Sequence, residues 1–219
     1  PELSGTVRAA ETTGFGLLAS DEHRPRKEAV VEAINRCAPG TLTHPVRRGR
    51  PDLVIQIGED RPAELIATGY AQRRQSHLMV VLRDGTAVVG PLVRDGGAPC
   101  LNCLHLHRQD RDPGWPHIQA QLASVPTLEP CTAVTLMTAV AYTVAEVLTF
   151  LDGGTPETEG AALEISAPGR VRRRAWPPHP GCDCGRRRRL RTRRGPDVVP
   201  AEGPDVASGV AGADRTRRS

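Results

Sequence analysis

Apolar positions along the chain follow two rhythms. From Arg26 to Cys37, the residues Ala29, Val30, Ala33, Ile34 and Cys37 recur at helical spacing, and Pro39-Gly40 ends the run. Asp21 stands ahead of it as a capping residue, with Pro25 in the first turn. Asp52-Leu-Val-Ile-Gln-Ile-Gly58 is instead a short β-branched run closed by glycine, the pattern of a buried parallel strand. A helix is predicted from Pro62 to Tyr70, and a second strand from His77 to Leu82. A third follows from Thr86 to Val93, behind the Asp84-Gly85 turn. Strand–helix–strand order predicts an α/β fold, with helices on the faces of a sheet.

Further on, Cys100–Gln109 and His117–Ala123 read as two short helices separated by the Asp112-Pro113 turn. A long apolar helix is expected from about Thr132 to Leu151. Glu146 is the single charge between Pro130 and Asp152, and the stretch is long enough to span a bilayer. Its many alanines, with Thr132, Thr135, Thr138, Thr143, Thr149 and Tyr142, favour a buried core helix instead. Ala161–Ser166 and Val171–Trp176 are expected to form a β-hairpin, followed by a tight loop from His179 to Gly185.

Composition changes this picture mainly through the location of the charge. Aromatics make up 3% of the 219 residues, so the core must be built from Ala, Val, Leu and Ile. The formal net charge is +4, yet ten arginines face only four acidic residues between Gly185 and Ser219. The rest of the chain then has 19 basic and 21 acidic side chains, which excludes a global nucleic-acid-binding surface. Arg186, Arg187, Arg188, Arg189, Arg191, Arg193 and Arg194 begin a segment otherwise small, polar and rich in Pro and Gly. Such a segment cannot bury enough apolar surface to offset its ordering entropy, so 186–219 is expected to be a disordered tail. The domain proper is 1–185. Residues 1–20 lack the pattern of a signal peptide, and the expected compartment is the cytoplasm.

Four of the six cysteines fall in two close pairs, Cys100-Leu-Asn-Cys103 and Cys182-Asp-Cys184. In a cytoplasmic chain a disulfide framework is disfavoured. Each pair sits in a turn that can aim both thiolates the same way, the second framed by Pro180, Gly181 and Gly185. Zinc takes four such ligands in a tetrahedron at about 2.3 Å, so Cys100, Cys103, Cys182 and Cys184 are the predicted metal ligands. A closed four-thiolate site has no position for water and is structural, not catalytic. The distance between the pairs is too great for a self-contained zinc ribbon. The metal would tie the end of the sheet to the segment leaving the hairpin. Cys37 and Cys131 read as buried core thiols, and His179, before Pro180, as the best supporting residue beside the metal. His105 and His107 read as surface or hydrogen-bonding residues.

Four segments together carry a resemblance: Gly90-Pro-Leu-Val93, Pro99-Cys-Leu-Asn-Cys103-Leu-His-Leu-His-Arg108, Asp110-Arg-Asp-Pro-Gly-Trp-Pro116 and Trp176-Pro-Pro-His-Pro-Gly-Cys-Asp-Cys184. They resemble the ThiF/MoeB-like, ubiquitin-activating-enzyme-like superfamily. Within it they resemble the actinobacterial cyclodehydratase-type branch that binds the leader peptides of thiazole/oxazole-modified precursors. The resemblance covers roughly residues 15–185. It implies a partial doubly wound, Rossmann-like sheet with the long buried helix, the hairpin and a structural zinc clamp. Members adenylate a C-terminal carboxylate with ATP, which requires a Gly-rich turn after the first strand. No G-x-G-x-x-G occurs here, and Gly14-Phe-Gly16 lacks both the preceding strand and the third glycine. The N-terminal nucleotide-binding unit is therefore read as missing. Arg26 aligns with a phosphate-contacting basic residue of the superfamily.

Three functions follow as expectations. The first is a non-catalytic module that binds a precursor peptide for a partner YcaO-type cyclodehydratase, with the peptide adding as a strand to a sheet edge. The second is an ATP-dependent adenylyltransferase whose ATP-binding N-terminus is absent. The third is a nucleic-acid-associated zinc protein acting through the Arg-rich tail, although no aromatics are interleaved with the arginines. The superfamily also implies a possible homodimer.

Overall fold

The computed structural model describes residues 3–12, 16–44, 49–58, 62–124, 131–167 and 170–184. Its helices are α1 (Ala9–Thr12), α2 (Arg26–Cys37), α3 (Ala63–Gln72), α4 (Leu101–Arg111), α5 (Trp115–Ser124) and α6 (Ala133–Leu151). Its strands are β1 (Val54–Ile57), β2 (His77–Arg83), β3 (Thr86–Val93), β4 (Ala161–Ala167) and β5 (Arg170–Ala175). They form one mixed sheet in sequential order. β1 and β2 run parallel with Val54 opposite His77, and α3 is the crossover between them. Every later pairing is antiparallel.

The doubly wound expectation is thus met by one parallel unit only. The Asp84-Gly85 turn is too short for a crossover, so β3 must fold straight back on β2. Alternation along β2 then sorts the layers. Leu78 faces Ala139 of α6, with Val89, Leu92, Leu163 and Ile165 in the same cluster. Met79 points the other way, onto Ile66 and Ala67 of α3 and Leu101 of α4. At Gly90, φ is +106° and a Cβ would lie 2.7 Å from the Ala161 carbonyl oxygen, so only glycine lets β3 pass β4 there.

Three sequence expectations need correction. The long helix is not a buried one: Thr135, Ala139 and Glu146 are its buried residues, while Val134, Met137, Val140, Val144, Leu148 and Leu151 are each about half exposed. An apolar composition all round predicts burial on every side, but the described layers cover a single face. Asp21 does not cap α2, whose N-cap is Pro25. Its carboxylate instead accepts from the Leu18 N–H at 2.9 Å and pairs with Arg24 at 2.7 Å. Cys37 is exposed and Cys131 half-buried, so neither is a core thiol. The Arg-rich tail at 186–219 lies outside the described residues.

Candidate metal centre

The cysteine pairs converge because two elements end at one place. Cys100 is the N-cap of α4 and Cys103 falls one turn later, so both sulfurs lie on the same side of the helix start. The second pair arrives on the loop leaving β5, at the far end of the sequence. Cys100 Sγ is 3.6 Å from Cys182 Sγ and 3.9 Å from Cys103 Sγ, and Cys103 Sγ is 3.2 Å from Cys184 Sγ. All four sulfurs lie within 4.8 Å of one another. A tetrahedral zinc thiolate places its sulfurs about 3.8 Å apart, and the observed spacings bracket that value. The cysteines are unoxidised, and Cys103 and Cys182 are buried.

Four thiols this close cannot all ionise without a cation between them. Hydrogen bonds from Cys100 and then Cys184 hold Cys103 far below the usual thiol range. The bonds Cys100 makes to Cys103 and Cys184, followed by burial, push Cys100 far above it. A divalent cation among the four sulfurs would favour the thiolate form of each of them.

The surroundings fix the loop that presents Cys182. His179 accepts from the Gly181 N–H at Nδ1 (3.0 Å), which leaves the ring proton on Nε2 to donate to Asp110 Oδ2 at 2.8 Å. The His179 carbonyl accepts from the Cys182 N–H at 3.0 Å, and Asn102 Nδ2 lies 3.5 Å from Cys182 Sγ. His107 donates to the Pro177 carbonyl at 2.9 Å and meets the His179 ring edge-on. His179 therefore braces the cluster, as its place before Pro180 suggested. His105 is not a surface residue: it is 3% exposed, with Nε2 2.9 Å from Glu64. Asn102 was missed, although its place inside Cys100-Leu-Asn-Cys103 puts it beside the clustered sulfurs.

Arg26 is far from free. Its guanidinium pairs with Glu11 (Nε to Oε1, 3.0 Å), donates to the Thr6 carbonyl at 2.7 Å, and bonds the Ser4 carbonyl. The arginine pins the N-terminal segment to α2 and holds the Glu11 carboxyl below its ordinary range.

No protein-family model matches the sequence, and no curated protein matches it. Solved structures do match. The microcin C7 biosynthetic enzyme MccB in complex with N-formylated MccA superposes with a TM-score of 0.63 at 13% identity, over 84% of this chain and 58% of that one. E. coli MccB with ATP gives a TM-score of 0.61 at 14% identity, over 82% and 57%. The heterocyclase TruD gives 0.47 at 20% identity, over 66% of this chain and 23% of its own. The chain thus spans less than three-fifths of the MccB chains it matches, and at these identities what it shares with them is the fold.

Proposed function

We propose that Cys100, Cys103, Cys182 and Cys184 hold one structural zinc ion, and that the domain they close is a ThiF-like module that binds a precursor peptide. The zinc reading is carried by one observation: a cysteine pair at the start of α4 and a second pair beyond β5 meet at tetrahedral sulfur spacing. An all-thiolate set selects zinc over oxygen-loving cations, and four protein ligands leave no coordination position for a reacting water. The peptide reading is supported by the fold shared with MccB, which has been solved with the peptide MccA. The module would present the peptide to a YcaO-type cyclodehydratase rather than modify it.

The alternative, adenylation by ATP, has its own support in MccB solved with ATP. It lacks the Gly-rich turn in this sequence, and a phosphate role for Arg26 would require Glu11 to release it. Metal analysis and two binding assays test the proposal. Purified protein should contain about one zinc per chain, bind a thiazole/oxazole-type precursor peptide through its leader segment, and show no ATP–pyrophosphate exchange with that peptide present. Absence of zinc sinks the metal reading, and robust exchange replaces the peptide-presenting module with an adenylyltransferase.

A further inference from the structure

A cleft of about 890 Å³ opens beside the cysteine cluster, at the opposite end of the sheet from the usual ligand crevice. In open α/β sheets ligands bind at the carboxyl ends of the parallel strands. This cleft instead lies at the amino ends of β1 and β2, where His77 begins β2 opposite Val54. Ala67, Tyr70 and Ala71 of α3 form one wall, Val93 and the Gly96–Gly97 turn another, and the loop from Gly181 to Cys184 closes the third. Its volume falls within the range of small-molecule pockets.

His77 lines the cleft and is 3% exposed. Its Nδ1 lies 3.1 Å from the Gln75 carbonyl oxygen, which can only accept, so Nδ1 bears the proton and Nε2 presents a lone pair. That Nε2 is buried and has no hydrogen-bond partner. Burial keeps the ring neutral by holding its pKa below the ordinary value. Tyr70 stacks on the ring with centroids 4.2 Å apart, and its hydroxyl donates to Gln56 at 2.7 Å. Arg74, Arg94, Asp95 and Asp183 add charge to the lining, with Arg74 paired to Asp95 at 3.2 Å and Arg94 to Glu159 at 3.0 Å. An orphaned buried acceptor costs free energy that a fitting donor would recover.

We propose that this cleft is a side-chain receptor: it takes an uncharged aromatic residue of a bound peptide whose polar tip donates a hydrogen bond to His77 Nε2. The Tyr70 ring with Ala67, Ala71 and Val93 favours a large flat body, and the lone pair demands an O–H or N–H at its end, the two properties tyrosine and tryptophan combine. Because Nε2 is covered, the ligand must displace a neighbouring side chain to reach it. The inference rests on the peptide-binding reading above for the source of the ligand. Its test uses isolated amino-acid amides, so a failed precursor-binding assay does not decide it.

N-acetyl-tyrosinamide and N-acetyl-phenylalaninamide differ by the one hydroxyl in question. Titrated into the metal-loaded full chain, the tyrosine amide should bind at least about tenfold more tightly, since a site built to pair with a hydroxyl rejects the analogue lacking it. It should also move the His77 Nε2 nitrogen resonance, which the phenylalanine amide should leave in place. His77→Phe keeps a stacking ring without the lone pair and should abolish the preference. Equal affinities, no binding at millimolar concentration, or a preference that survives His77→Phe would each overturn the proposal. If that variant fails to fold, the comparison of the two amides on the wild-type chain decides alone.

Discussion

The two regions of the described chain that look most decisive in sequence behave in opposite ways. The cysteine loops are polar, turn-rich and short of large apolar side chains, yet they bring four sulfurs together, Cys103 and Cys182 buried and Cys100 and Cys184 half-buried, on a backbone braced by His179. α6 is the most apolar segment of the protein, yet it presents a stripe of half-exposed valines, leucines and a methionine. It is a helix long and apolar enough to cross a membrane, and in this fold it lies with one face on the sheet. Apolarity reports what a segment can bury, and only the layers around it decide how much it does bury. Ligand chemistry is more demanding, because two cysteine pairs have few reasons other than a metal to meet.

The largest effect is expected at the cysteines. Cys182→Ser removes one of four donors, and structural zinc contributes on the order of 10 kcal/mol to a metal-bound fold. Zinc content should fall from about one per chain to near zero by elemental analysis, with a cooperative melt replaced by a broad one. A variant that keeps both its melt and its solubility without zinc would break the comparison at its polar end. Chelation of the wild type at elevated temperature should reproduce the loss.

A smaller but clear effect is expected where α6 does bury something polar. Glu146 is 6% exposed, and its Oε2 accepts from the Thr158 N–H at 2.8 Å and from the Thr158 hydroxyl, with Oε1 3.3 Å from the Glu157 N–H. The carboxylate therefore ties the helix to the loop that enters β4. Glu146→Ala strands buried donors and should cost about 3 kcal/mol in urea unfolding. Glu146→Gln, which retains an acceptor, should cost less. Equal losses for the two would mean that packing, not hydrogen bonding, holds the loop.

Acid should expose a third, weaker contribution near the N-terminus. The Leu18 N–H, then the Arg24 guanidinium, hold the Asp21 carboxyl below its ordinary range. A group depressed in the folded state stabilises fully above its unfolded pKa, about 3.9, and that stabilisation drains as pH falls through the folded value. Glu11 and Glu32, lowered by Arg26 and Arg24, act in the same sense. The melting temperature should therefore fall below about pH 4. Asp21→Asn should lower it at neutral pH and make the acid-side fall shallower. An unchanged slope would remove Asp21 from the account.

Much of this was legible in the sequence, for reasons that differ by residue. β2 and β3 stand where alternation and the Asp84-Gly85 turn put them, because a tight turn fixes both register and direction. The cysteine cluster was legible because a metal site depends on a few donor types at short spacing. The exposure of α6 was not, since periodicity describes one helix and not its neighbours. His77 carried no signal either: a histidine opening a strand looks the same whether or not its second nitrogen has a partner. Asp21 misled because a carboxylate before a helix has two outlets, the helix N-terminus and nearby N–H groups and arginines, and here Arg24 and the Leu18 N–H win.

The smallest expected effect is the sharpest test of the opening contrast. If the outer face of α6 meets water as described, Val144→Gln and Leu148→Gln should each change stability by no more than about 0.5 kcal/mol, because neither side chain is removed from a packed site. Ala139, 2% exposed against the sheet on the same helix, should tolerate nothing larger: Ala139→Gln should be destabilising by several-fold more. The two outer substitutions should also raise solubility, since they interrupt an exposed apolar stripe. A loss of about 2 kcal/mol or more at Val144 or Leu148 would show that the stripe is packed in solution. The contrast between the polar loops that converge on one cluster and the exposed apolar helix would then hold for the described layers alone, not for the protein.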